Sequence, residues 1–193
     1  VSRARIAVLI SGNGSNLQAL LDASASPDYP ADICLVISNK PDAYGLVRAQ
    51  NSNVPARVIE HSHFETREAF DAALHEALTE ARIEYVCLAG FMRLLTPGFA
   101  KAWEGRMLNI HPSLLPAYKG LNTHQRVLDD GGTESGCTVH LVTPELDDGP
   151  ILLQARVPVL AGDTAQTLQQ RIHAEEYRLY PEALRMLVQG QQT

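Results

Sequence analysis

Seven residues near the start, Arg5-Ile6-Ala7-Val8-Leu9-Ile10-Ser11, set the strongest limit on the fold. A strand with one wet face carries a polar residue at every second position, and Ile6 to Ile10 carries none. Such a run is stable with both faces covered, as in a parallel sheet that has helices on each side. The chain breaks at Gly12-Asn13-Gly14-Ser15-Asn16 and resumes with Leu17, Leu20 and Leu21 at helical spacing. Strand, glycine loop and helix together form an anion cradle. Glycines admit close backbone approach, and the first helical amides and the positive dipole end face the anion. The same residues also fit a plain strand-to-helix turn capped by Ser15 or Asn16. A dinucleotide site fits less well. Leu17 stands where Gly-x-Gly-x-x-Gly ends in glycine, and Asn39-Lys40 rather than an acid follows the second strand. The phosphate of one mononucleotide-sized ligand suits the loop better.

The alternation continues. Asp32 to Ser38, Ala56 to Ile59, Tyr85 to Ala89, the run ending at His111, Cys137 to Val142 and Ile151 to Val159 read as further strands. Helices are expected at Tyr44 to Gln50 and at Thr66 to Ala81, where Phe70, Ala73, Leu74 and Leu78 share a face. Asp163 is a candidate N-cap for a helix from Thr164 toward Tyr180; Pro181 then kinks it or starts another turn, and the tail after Gly190 reads as loose. This pattern predicts a three-layer α/β fold with some antiparallel pairing among the later strands. No repeat or linker divides the 193 residues, so one domain over 1–193 is expected.

Composition narrows the function. With 45% hydrophobic and 20% charged residues the chain reads as soluble and globular, and a net charge of -6 argues against gripping a nucleic-acid backbone by bulk electrostatics. No apolar stretch approaches membrane-spanning length, which argues against a membrane partner. Arg3 and Arg5 before an apolar run superficially suggest a signal peptide, but no typical cleavage region follows. Cys34, Cys87 and Cys137 fall in apolar runs without metal-ligand spacing and read as buried thiols of a reducing compartment. His61-Ser62-His63 offers two candidate ligands with no completing set nearby, so no metal is expected.

Chemistry concentrates in Met107-Leu108-Asn109-Ile110-His111-Pro112-Ser113-Leu114-Leu115-Pro116. On a strand, Asn109 and His111 project to one face, and Pro112 ends the pairing, so both sit at a strand's carboxyl end. In an open parallel α/β sheet that is where ligands bind. The plainer reading is a turn-capping asparagine and a structural histidine. Arg93 interrupts Phe91, Met92, Leu94 and Leu95, which suits an aromatic ligand with an anionic tail and equally a snorkelling arginine. Arg67, in a helix's first turn, opposes the dipole. The turn Pro144 to Pro150 brings acids that can orient and charge a histidine, or simply solvate a turn.

Read together, Ile10 to Asn16, Arg106 to Pro116, and Gly136-Cys137-Thr138-Val139-His140 followed by Leu146-Asp147-Asp148-Gly149-Pro150 resemble the glycinamide ribonucleotide formyltransferases, folate-dependent enzymes of purine synthesis. The resemblance covers nearly the whole chain, with three motifs in the family's order. It implies a Rossmann-like, mostly parallel sheet with helices on both faces, a single formyltransferase domain and a cytoplasmic location. The implied catalytic set is Asn109, His111 and Asp147. The implied acceptor contacts are Gly12, Asn13, Gly14, Ser15 and Asn16 for the phosphate of glycinamide ribonucleotide, with Glu176 near its glycyl part. The implied wall for 10-formyltetrahydrofolate is Arg67, Phe91, Met92, Arg93, Leu94, Leu95, Arg106, Asn109, Val142 and Asp147. Direct attack of the acceptor amine on the formyl carbon through an oxyanion needs neither metal nor ATP, because the donor is already activated. Asn122 departs from the histidine found in some members, although His124 is present. A hydrolase delivering formyl to water and a noncatalytic binding module are the competing readings, and oligomeric state stays open.

Overall fold

The computed structural model describes residues 2–190. A seven-stranded sheet is built from β1 (Ala4–Ile10), β2 (Ala31–Ser38), β3 (Ala56–Val58), β4 (Tyr85–Leu88), β5 (Met107–His111), β6 (Glu134–Leu141) and β7 (Ile151–Pro158). Their spatial order is β3-β2-β1-β4-β5-β6-β7. Pairing is parallel from β3 through β5, whereas β6 runs antiparallel to both β5 and β7. The helices are α1 (Ser15–Ser24), α2 (Gly45–Asn51), α3 (Arg67–Glu80), α4 (Pro97–Ala102), α5 (Thr123–Asp129) and α6 (Ala165–Gly190).

The uninterrupted apolar run of β1 is explained by two cores. Ile6, Val8 and Ile10 join a cluster with Leu17 and Leu20 of α1 and Leu168, Ile172 and Leu184 of α6. Ala7 and Leu9 join a second cluster with Phe70, Leu74 and Leu78 of α3 and Phe99 and Ala100 of α4. Successive side chains point to opposite faces, so a strand covered on both sides has no place for a polar residue. The order reverses between β1 and β4, the switch point beside which open α/β sheets hold ligands at strand carboxyl ends.

Several expectations need correction. Two short helices, α4 and α5, stand where no periodicity was evident. Helix α6 continues through Pro181 to Gly190 instead of starting another turn; its length is held by a buried face from Leu168 to Val188. Tyr180, fully buried, shares its hydroxyl between Leu88 O at 2.8 Å and Leu108 O at 3.1 Å, fastening α6 to β4 and β5. Cys34 is half-buried, unlike Cys87 and Cys137, because the first half of β2 alternates between buried and half-buried positions. The expected loose tail falls on residues 191–193, outside the described residues. No helix among the described residues is long and apolar enough to cross a membrane.

Candidate active site

β1 delivers the glycine loop. Gly14 is the N-cap of α1 in a left-handed conformation, with φ 74°, and neither Ser15 nor Asn16 caps the helix. A side chain on Gly14 would place its Cβ 2.8 Å from the Cα of Gly45, so the loop approaches the start of α2 this closely because Gly14 has none, while a Cβ on Gly45 would meet Ile10 Cδ1 at 2.3 Å. Gly45 N donates to Gly12 O at 3.0 Å. Arg48 of α2 donates to Asn13 O at 2.7 Å and to Asn13 Oδ1 at 3.2 Å. The loop is thereby held open, with the first α1 amides lacking partners inside the helix. Arg48 carried no signal in the sequence, since nothing there places α2 beside the loop.

Asn16 turns inward. Its Nδ2 donates to Glu176 Oε1 of α6 at 2.8 Å. Glu176 Oε2 and Asn16 Oδ1 are buried without a protein partner. Burial pushes the Glu176 carboxyl up from 4.5 to about 7, partly opposed by the Asn16 bond. The folded state therefore holds this proton more tightly than the unfolded chain. Its stabilisation is complete below the unfolded value and is lost as pH rises toward about 7. Between about pH 5 and about pH 8 the wild type loses on the order of 3 kcal/mol relative to Glu176→Gln. Urea unfolding of the two proteins across that range checks this; a constant difference contradicts it.

β5 delivers the amide and the imidazole. Asn109 and His111 lie on the face of Met107, opposite Leu108 and Ile110, which point into the α1–α6 core. His111 is buried and engaged at both ring nitrogens. Nε2 lies 2.8 Å from Tyr118 O, which only accepts, so Nε2 carries hydrogen. Nδ1 faces Asp147 Oδ2 at 3.5 Å. Asp147 is buried, in a left-handed conformation with φ 50°, and its Oδ2 accepts the Gly120 amide at 2.9 Å. The return of the acidic turn depends on Gly149, where a Cβ would sit 1.7 Å from Leu141 O. Asn109 pairs across the strands with His140, whose Nε2 lies 3.5 Å from Asn109 Nδ2. His140 Nδ1 donates to Leu141 O at 3.0 Å, and burial lowers the His140 pKa. The neutral ring thus presents a lone pair to the Asn109 amide.

The loop after β5 is fastened from several sides. Thr138, opposite His111 in the register, accepts Leu115 N at 3.1 Å and donates to Ser113 O at 2.7 Å. Arg126 of α5 donates to Lys119 O, and Lys119 pairs with Asp148 at 2.5 Å. Asn122 is the left-handed N-cap of α5 and His124 is half-buried beyond it, its pKa lowered by burial and by nearby His173 and His111.

On the face shared with Asn109 and His111, Phe91, Leu95 and Val142 pack half-buried against the α3–α4 core, while Met92, Leu94 and Leu146 are more than half exposed. Phe91 stacks on Phe70 at 6.5 Å, and Arg93 lies 6.0 Å over the same ring with its Nε buried and unpartnered. Arg67 is exposed at the first position of α3, one turn before Phe70. Arg106 does not join this group. It precedes β5 at its amino end, lies over Trp103 at 4.5 Å and donates to Ala102 O, closing the end of α4. His61 is engaged by Asn39 at 3.2 Å and His63 by Glu60 at 3.2 Å, and no cluster of three metal-ligating side chains occurs among the described residues.

The family model "Formyl transferase" matches residues 4–184. The trifunctional purine biosynthetic protein adenosine-3 of Bos taurus is 51% identical over 97% of this chain, which spans only 19% of that protein's length. Phosphoribosylglycinamide formyltransferase of Haemophilus influenzae is 46% identical, covering 96% of this chain and 88% of the relative. The crystal structure of phosphoribosylglycinamide formyltransferase from Brucella melitensis superposes with a TM-score of 0.93 at 49% identity, covering 97% of this chain and 96% of that one. A match running from β1 into α6, with the glycine loop, the β5 pair and the acidic turn all inside it, makes this chain a member of the formyl transferase family.

Proposed function

We propose that the chain transfers the formyl group of 10-formyltetrahydrofolate to the amine of glycinamide ribonucleotide, a step of purine synthesis. The observation that carries this reading is the arrangement around His111: a ring held by a carbonyl at Nε2 and facing a carboxylate at Nδ1, on the same strand face as the Asn109 amide. The names of the full-length relatives supply the acceptor.

In this reading the acceptor phosphate sits on Gly12 to Asn16, its glycyl end reaches the free oxygen of Glu176, and the amine points toward β5. The donor's ring lies along Phe91 to Leu95, Val142 and Asp147, with Arg67 and Arg93 toward its anionic tail, and Arg106 stands just before β5. The amine lone pair forms the new C–N bond as the formyl π electrons move onto oxygen. Asn109 Nδ2–H and the Nδ1–H of a protonated His111 meet that oxyanion. At 3.5 Å, Nδ1 is not committed to a short hydrogen bond with Asp147, so its N–H can be shared with a substrate oxygen that approaches in the ring plane. Collapse expels the folate nitrogen, which takes up a proton as the former amine loses one. Metal and ATP have no step to serve.

The phosphate assignment has a direct test. An acceptor lacking its 5′-phosphate raises KM by about a hundredfold, as charge-assisted bonds to the loop amides are lost. Steady-state kinetics with the two acceptors measure this, and equal KM values would remove the phosphate from the loop. The competing hydrolase has no use for an anchor of this kind.

A further inference from the structure

Four groups form a hydrogen-bonded chain running in one direction beneath the donor wall. Met92 N–H donates to Ser11 Oγ at 2.8 Å, and Ser11 O–H donates to Asn39 Oδ1 at 2.6 Å. Asn39 Nδ2 in turn reaches His61 Nδ1 at 3.2 Å. A hydroxyl has a single hydrogen, so its use by Asn39 leaves only lone pairs for Met92, and the amide orientation of Asn39 and the tautomer of His61 follow. Ser11 and Asn39 are both more than nine-tenths buried. Ser11 is the residue immediately before the glycine loop, while Met92 belongs to the segment after β4. Further along, the Thr96 amide donates to Asp71 of α3 at 2.7 Å, a second side-chain tether. Between the two tethers Met92 and Leu94 stand exposed.

We propose that Ser11 is a positioning residue for the donor: it fixes the 91–95 segment against the end of β1 and so sets the wall on which the folate ring lies. This rests on the reading of that segment as the donor wall. Ser11 touches neither substrate, so its removal acts through Met92. The expected signature is selective.

Ser11→Ala raises the donor KM by about tenfold, the effect of losing one hydrogen bond to a buried hydroxyl, and leaves the acceptor KM within about twofold. Ser11→Thr, which keeps the hydroxyl, restores the donor KM, and Met92 amide exchange is faster in the alanine variant alone. Asn39→Ala, which releases the hydroxyl without removing it, gives a smaller rise of the same kind and carries the test if Ser11→Ala does not fold. Equal rises in both KM values, or an unchanged donor KM in folded Ser11→Ala, would overturn the role of Ser11. A wild-type chain without folate-dependent transfer would remove the activity and this inference together, and that result is separable because it needs no variant.

Discussion

Replacing His111 with glutamine lowers single-turnover formyl transfer by about two to four orders of magnitude, with substrate affinities changed only a few-fold. Glutamine is close in length and its amide can still donate to Tyr118 O, so the loop after β5 keeps its main tether. What it cannot do is carry a positive charge. The oxyanion is then met by a neutral amide, beside an Asp147 carboxylate that no longer has a cation facing it. The loss belongs to the transition state, so it appears in the rate of the chemical step and not in KM. Rapid-quench measurement of formylated product under enzyme excess reads it directly. A rate within tenfold of wild type would assign His111 to structure alone.

Asn109→Ala lowers the same rate by about two to three orders of magnitude, the range for loss of one preorganised oxyanion donor. The amide is aimed in advance. The neutral ring of His140 offers Nε2 as an acceptor, which turns Nδ2, and not Oδ1, toward that side of the strand pair. Asn109→Asp is worse than alanine, because a carboxylate beside the developing oxyanion repels it. Comparing the two variants by single turnover separates charge from geometry. Equal rates would mean that the position 109 side chain does not face the reacting oxygen.

Much of the sheet was legible because covered strands admit no polar residue: β1 announces itself, and the proline after His111 marks where β5 stops. Helices α4 and α5 were not legible. Each is two turns or less and buries only two side chains, Phe99 and Ala100 in one, Thr123 and Val127 in the other, too few to make a period. At Pro181 the sequence left a kink or a new turn open, and packing of Tyr180, Ala183 and Leu184 carries α6 across it.

The site divides along the same line. Asn109 and His111 were readable from a spacing of two on a strand, but the groups that hold His111 and Asp147 were not all readable. Tyr118 contributes a carbonyl and Gly120 an amide, and every residue has those. Arg48 is invisible until the order of strands places α2 beside the glycine loop. Arg106, which the family resemblance assigns to the donor wall, stands just before Met107 at the amino end of β5 and lies over Trp103.

The most direct test of the account is single-turnover transfer from 10-formyltetrahydrofolate with and without glycinamide ribonucleotide, following the folate product and the formylated amine together. The account predicts folate product only when acceptor is present, matched mole for mole by formylated ribonucleotide. Formate released at the same rate without acceptor would contradict it and make the chain a hydrolase.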